Sequence, residues 1–226
     1  MIAWANVAED ADAYQRVPPA AVREVRPEVV LVHRPDGGAW SDLALRIRFG
    51  VADVESNIAA TRAWFAAQQV EGFRWLVGPS ATPRGITGML LASGAVRDES
   101  EPSLTAMVLD HEPPPEIGVM TRPVVSFADF EAMERIREDV FRRPDDHQAS
   151  MRRARWADFQ AAGSVAYLAE VDGTPVSFGV MARTAAGPML LAGGVTRPEY
   201  RGRGAYRALV HARWKAAEQA GAHALV

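Results

Sequence analysis

Val195-Thr-Arg-Pro-Glu-Tyr-Arg-Gly-Arg-Gly-Ala-Tyr-Arg-Ala-Leu209 joins an apolar strand, expected over 189–196, to a helix expected over 206–220, through a loop with two glycines. This order suits an anion. Gly202 and Gly204 permit backbone conformations that aim successive N–H groups at one point. The start of the helix adds unpaired N–H groups and the positive end of its dipole. Arg201, Arg203 and Arg207 add charge without exact placement. An exposed basic turn is the plain alternative, because Arg and Gly often meet in loops. A nucleotide P-loop is disfavoured: Gly-x-x-x-x-Gly-Lys-Ser/Thr is absent and no lysine precedes the helix. A Rossmann fingerprint fails as well, for want of the third glycine and of crossover helices between the preceding strands.

Working outward, the segments before this loop read as hairpin strands. Val165 to Val171, a turn at Asp172-Gly173, Pro175 to Arg183 and a turn at Ala186-Gly187 precede the strand Met189 to Thr196. Asp-Gly between alternating apolar runs is a strong hairpin signal. Upstream, Ser126 is a candidate N-cap with Asp129 three residues on, and Phe127, Phe130, Met133, Ile136 and Val140 line one helical face. A further helix is expected over 147–161. After the loop helix, Gly221 is a fitting stop signal and Ala222 to Val226 reads as a strand.

The first half is also mixed α/β. Strands are expected over 28–33 and 43–49, the latter with Leu43, Leu45, Ile47 and Phe49 on one face. A helix over 53–70, a strand over 73–77, a short helix over 84–93 and a strand over 104–110 follow. The run His111-Glu-Pro-Pro-Pro-Glu116 reads as a stiff extended linker, so domains are expected over 1–116 and 117–226. The halves resemble each other. Trp64-Phe-Ala-Ala-Gln-Gln-Val-Glu-Gly72 with Trp75-Leu-Val77 parallels Trp214-Lys-Ala-Ala-Glu-Gln-Ala-Gly221 with Ala224-Leu-Val226, and Gly50-Val51 parallels Gly194-Val195. The first half lacks the Arg-Gly-Arg-Gly insertion and reads as a degenerate copy.

Composition sets bounds. The formal net charge of −3 gives no basic excess of the kind a duplex-binding surface needs, so no nucleic-acid partner is expected. With no cysteine, disulfides, thiolate metal sites and a cysteine nucleophile are excluded together. The five histidines share no short spacing, so no metal site is expected. No apolar stretch nears the roughly 20 residues of a membrane span and no signal-peptide pattern opens the chain, so the expected location is cytoplasmic. Asp145-Asp146 precedes a helix, where carboxylates meet the dipole favourably. Trp64, Trp75, Trp156 and Trp214 read as core.

In the order helix, helix, hairpin, strand ending Val-Thr-x-Pro, then Arg-Gly-Arg-Gly before a helix, the chain from about Gly118 to Val226 resembles the GCN5-related N-acetyltransferases (GNAT). More closely, it looks like tandem bacterial members of that family. Of the family signature Gln/Arg-x-x-Gly-x-Gly/Ala, Arg201, Gly204 and Tyr206 occupy the marked positions, with Tyr206 departing from Gly/Ala. The resemblance implies an α/β fold of two GNAT-like units, each a mixed, mostly antiparallel sheet flanked by helices, the first degenerate. It implies acetyl-CoA as co-substrate, with Arg201, Gly202, Arg203, Gly204, Ala205, Tyr206 and Arg207 around its diphosphate. Backbone at Val195 and Thr196 would bond the pantetheine arm, and an N–H near Val195 would polarise the thioester carbonyl.

The implied reaction is acetyl transfer to a primary amine of a small molecule or peptide, by direct attack in a ternary complex. Glu170 and Glu199 are the carboxylates available as general base, each with an ordinary reading as a solvated strand residue or a charge beside arginines. Tyr200 and Tyr206 are expected to shape the loop. The matching first half continues past Val77 while the second ends at Val226, so the second domain is expected to lack its last helix and strands. Two consequences are expected: a bare sheet edge at 222–226, covered by the first half or by a second copy in a homodimer, and an alternative role as an acyl-CoA-binding or scaffold protein without turnover.

Overall fold

The computed structural model describes residues 4–15, 17, 20–35, 41–99, 105–141 and 152–226. The chain forms two units, Met1–Met107 and Val108–Val226.

Unit 1 begins with two short helices that the sequence reading missed, α1 (Trp4–Glu9) and α2 (Ala11–Tyr14). Strands β1 (Val22–Val25), β2 (Val30–His33) and β3 (Leu43–Leu45) follow in antiparallel order. Helix α3 (Val54–Ala67) then leads to β4 (Arg74–Trp75), which pairs with β3 in parallel, and to α4 (Ile86–Ala92). The single strand expected over 43–49 is broken at Arg46, whose φ of 53° lies in the left-handed region. That turn exchanges faces. Leu43 and Leu45 pack with Val30 and Val32, whereas Ile47 and Phe49 join Val29, Leu31, Ile58 and Phe65 in a second cluster. Strict alternation cannot survive a left-handed residue, because the pleat restarts after it.

In unit 2 the Asp172-Gly173 signal holds. Both residues have positive φ, 52° and 75°, as a type I′ turn requires, and they join β6 (Val165–Val171) to β7 (Thr174–Arg183). A strand not foreseen, β5 (Met120–Pro123), flanks β6, and β8 (Met189–Leu190) and β9 (Gly194–Thr196) both pair with β7. Helices α5 (Phe127–Phe141) and α6 (Arg152–Ala161) cover one face, and α7 (Ala205–Gln219) covers the other. The first turn expected for α6, His147 and the pair Asp145-Asp146 lie outside the described residues.

Ser126 caps α5 as its spacing implies. The Asp129 N–H donates to Ser126 Oγ at 3.2 Å, while Asp129 Oδ2 accepts from the Ser126 N–H at 3.0 Å and its hydroxyl at 2.7 Å. Burial pushes the Asp129 carboxyl up, but the bonds from Ser126, Arg122 and the Val125 N–H outweigh it and hold it at about 2, against an ordinary 3.8. The folded value is depressed, so its stabilisation is present above pH 4 and is lost as pH falls towards 2. Asp129→Ala is expected to cost about 1 kcal/mol at pH 7 in urea unfolding. The difference from the parent should shrink as pH falls towards 2, and a difference unchanged between pH 7 and pH 2 would refute the assignment.

The proline-rich run falls inside unit 2, because Leu109 ahead of it pairs with Leu225 by reciprocal bonds of 2.9 and 2.8 Å. Leu225 is held on its other side in parallel by Met189. The edge at 222–226, expected to be covered by the first half or by a second copy, is taken by Leu109, which lies before the expected boundary at 116 but within unit 2, and the strand expected over 104–110 is reduced, among described residues, to this one bridge.

Candidate anion-binding site

The site is built on a slip in the sheet. Between Ala182↔Leu190 and Gly179↔Gly194 the β7 side advances three residues and the facing strand four, so one extra residue is inserted near Gly193. The strand expected over 189–196 is accordingly two strands. At the slip the carbonyl of Val180 is taken by Arg213 Nη1 at 3.0 Å, while Arg213 Nε donates to Leu209 O at 3.0 Å.

Arg213 is fully buried, in an i, i+4 series with Ala205, Leu209 and Ala217 along the sheet-facing side of α7. Two glycines paired across the strands make room, Gly179 for this guanidinium and Gly194 for the Tyr206 ring. A Cβ on Gly179 would lie 2.6 Å from Arg213 Cζ, and one on Gly194 would lie 2.7 Å from Tyr206 Cε2. Burial pushes the Arg213 pKa down, with Tyr206, whose ring centroid is 5.5 Å from the guanidinium carbon, opposing the shift.

Beyond the slip, β9 bonds only to β7 among the described strands. The Val180 N–H reaches Gly193 O at 2.9 Å and the Arg197 N–H reaches Val176 O at 3.0 Å. Alternation in an antiparallel ladder then turns the backbone groups of Val195 towards β7 and those of Gly194 and Thr196 away from it. The donors at the open edge are thus Gly194 and Thr196. Val195, expected to present an N–H there, is engaged within the sheet. The Thr196 carbonyl accepts from Arg201 Nε at 3.3 Å, and its hydroxyl lies 2.7 Å from Ser177 Oγ.

From Thr196 the chain passes through a 3-10 turn, Pro198–Tyr200, into the glycine loop. Arg197 pairs with Asp139 of α5 at 2.7 Å, fixing the start of this passage. Gly202 and Gly204 both have positive φ, 76° and 82°, and Gly204 is the N-cap of α7. Arg203 lies over the Tyr200 ring at 5.3 Å. Thr196, Tyr200, Arg201, Gly202, Gly204, Ala205, Tyr206 and Arg207 line a cavity of about 250 Å³. All the loop residues singled out from sequence except Arg203 line it, and so does Tyr200.

The carboxylates expected as general base are Glu170 and Glu199. Glu170 on β6 pairs with Arg122 at 2.7 Å, and Glu199 is exposed on the 3-10 turn; neither lines the cavity. A residue that sequence reasoning missed is Glu116. Its carboxylate makes a bidentate pair with Arg207, 2.8 Å to Nε and 2.9 Å to Nη2, and lies against the N-terminus of α7. Another is Glu134 on α5, fully buried and paired with Arg137 at 2.6 Å and Arg155 at 2.7 Å.

Unit 1 repeats the order of strand, helix and parallel strand, without a cradle. Gly50 is extended at φ −71°, and the helix start carries Asp53 and Glu55, which disfavour an anion there. The four tryptophans expected in the core pack there: Trp64 and Trp75 in unit 1, Trp156 and Trp214 in unit 2. Among the described residues no group of acidic or histidine side chains could hold a metal, and no helix is long and apolar enough to cross a membrane.

No protein-family model matches the sequence, and no curated protein does. Solved structures do. A GCN5-related N-acetyltransferase from Kribbella flavida is 20% identical with a TM-score of 0.62, over 98% of this chain and 83% of that one. A tandem GNAT protein from the clavulanic acid biosynthesis pathway is 14% identical with a TM-score of 0.57, over 98% and 83%. A GCN5-related N-acetyltransferase from Sphaerobacter thermophilus is 19% identical with a TM-score of 0.53, over 89% and 71%. At such identities the likeness is one of fold.

Proposed function

From the premise that this chain has the fold of the GCN5-related N-acetyltransferases, we propose that unit 2 binds acetyl-CoA and transfers its acetyl group to a primary amine of a small molecule or peptide. The observation that carries this reading is the continuity of an open strand edge with an anion cradle. Backbone groups of Gly194 and Thr196 face outward from β9 and lead, through Arg201, to paired left-handed glycines at the N-terminus of α7. An extended amide-bearing arm suits the edge, and a diphosphate suits the cradle.

The chemistry is direct. The amine nitrogen bonds to the thioester carbonyl carbon, the carbon–sulfur bond breaks, the nitrogen loses a proton and the CoA sulfur gains one. An outward N–H on β9 would stabilise the charge that gathers on the carbonyl oxygen, a contribution of about 3 kcal/mol where such donors are removed in acyl-transfer enzymes. Val195 cannot serve, since its N–H is spent on β7; Gly194 or Thr196 can.

Replacing Arg201 and Arg203 together by alanine is expected to weaken CoA binding about tenfold in titration calorimetry and to flatten its salt dependence. Equal affinity in parent and variant would remove the diphosphate from this loop. A second reading, acyl-CoA binding without turnover, is favoured by the engagement of Glu170, one of the two candidate bases, in an ion pair with Arg122 at 2.7 Å. Thiol release from acetyl-CoA over a panel of primary amines separates the two: release that depends on an amine supports transfer, and binding without release supports the second reading.

A further inference from the structure

The proline run is a strap laid along α7. It is pinned at Leu109 by Leu225, at Glu112 by Lys215 at 3.5 Å and at Pro113, whose carbonyl accepts from His211 Nδ1 at 2.9 Å. It ends at Glu116 on Arg207. The strap thus runs from the C-terminal end of α7 to its start, against the helix direction. Three consecutive prolines, Pro113, Pro114 and Pro115, hold it extended at about 3.1 Å per residue. Arrival of Glu116 at the first turn of α7 therefore needs little further ordering.

Its carboxylate lies against Gly204 at the start of α7, beside the cradle. A Cβ on Gly204 would lie 2.5 Å from Glu116 Cδ, and both donors of the Arg207 fork face the carboxylate. Arg207 and Gly204 both line the cavity to which the CoA diphosphate is assigned. An anion that neutralises the helix start and engages the loop's last arginine competes with any second anion for the same groups, and repels it.

We propose that Glu116 is an internal competitor for the anion site: the strap seats its carboxylate on the N-terminus of α7, and a diphosphate ester must displace it to bind. The inference rests on the reading of this loop as the CoA diphosphate site. On release, Glu116 exchanges Arg207 for water while the diphosphate takes the loop, so the contact sets a threshold concentration for loading.

The test is calorimetric titration of CoA, and separately of inorganic pyrophosphate, into the parent chain, Glu116→Gln, Glu116→Ala and Glu112→Gln, each checked for folding by circular dichroism. Removing the carboxylate is expected to tighten both ligands about tenfold, whichever of the two Glu116 variants folds. Glu112→Gln alters the same strap beside Lys215 and is expected to bind like the parent. Affinity unchanged or weakened in the Glu116 variants, with the parent still binding CoA, would overturn the competitor and leave the site reading intact. Equal tightening by Glu112→Gln would overturn it too, by showing a general charge effect. No binding of CoA or pyrophosphate by any of these chains at millimolar concentration would overturn the site reading first.

Discussion

Arg213→Ala is expected to destabilise unit 2 by about 3 kcal/mol, the largest effect of any single change considered, because it opens a cavity and strips a buried carbonyl of its donor at once. Arg213 is fully buried, and Nη1 satisfies the Val180 carbonyl where the ladder slips. Without it the Val180 carbonyl at the slip loses its donor, and β9, left with its bonds to β7 alone, is expected to loosen in register. CoA affinity should then fall along with stability. Arg213→Lys separates the contributions: the charge and most of the volume remain, but one ammonium cannot serve Leu209 O and Val180 O in the geometry of a guanidinium. About half of the loss is expected to persist. Urea unfolding measures this, and a lysine variant as stable as the parent would show that charge, not the fork, holds the slip.

Gly204→Val is expected to abolish measurable CoA binding, a loss above about a hundredfold, while costing about 2 kcal/mol of stability. Gly204 has φ 82°, where a β-branched residue is a genuine outlier, and the new side chain would strike Glu116. Relief of the strain turns the first N–H groups of α7 away from the cavity, which is why binding suffers more than folding. Gly163→Ala is the control. Its φ of 63° is also left-handed and nothing lies within 4 Å of the added Cβ. It should cost about 1 kcal/mol and leave CoA affinity alone. If Gly204→Val still binds CoA at parental affinity, the cradle is not the site.

The hairpin at Asp172-Gly173, the Ser126 and Asp129 cap and the Gly202–Gly204 loop were each legible in the sequence for one reason. Their chemistry is local: a turn that needs positive φ, or a cap that needs a side-chain oxygen, is satisfied within a few residues. The same holds for α7 and for its stop at Gly221, where φ is 78°. Where the reading failed, distant partners decided. Leu43 to Phe49 alternates like one strand, but Arg46, whose N–H bonds to Asp10 Oδ1 at 2.9 Å, turns left-handed and exchanges the faces. Arg213 carried a signal that could have been used, an arginine in a buried i, i+4 series, yet its acceptor lies on a strand thirty-three residues away.

By itself, the sequence determined that an apolar strand meets a helix through a loop able to take an anion, because glycine conformations and helix dipoles depend on neighbours in the chain. Only the tertiary structure decided which backbone groups face the open strand edge. The slip at Gly193 sets the phase of the ladder and so engages Val195 and frees Gly194 and Thr196. Tertiary packing also brought Glu116 onto Arg207, ninety-one residues away in the chain. Register and long-range charge pairing are properties of packed elements, and no local pattern of residues encodes them.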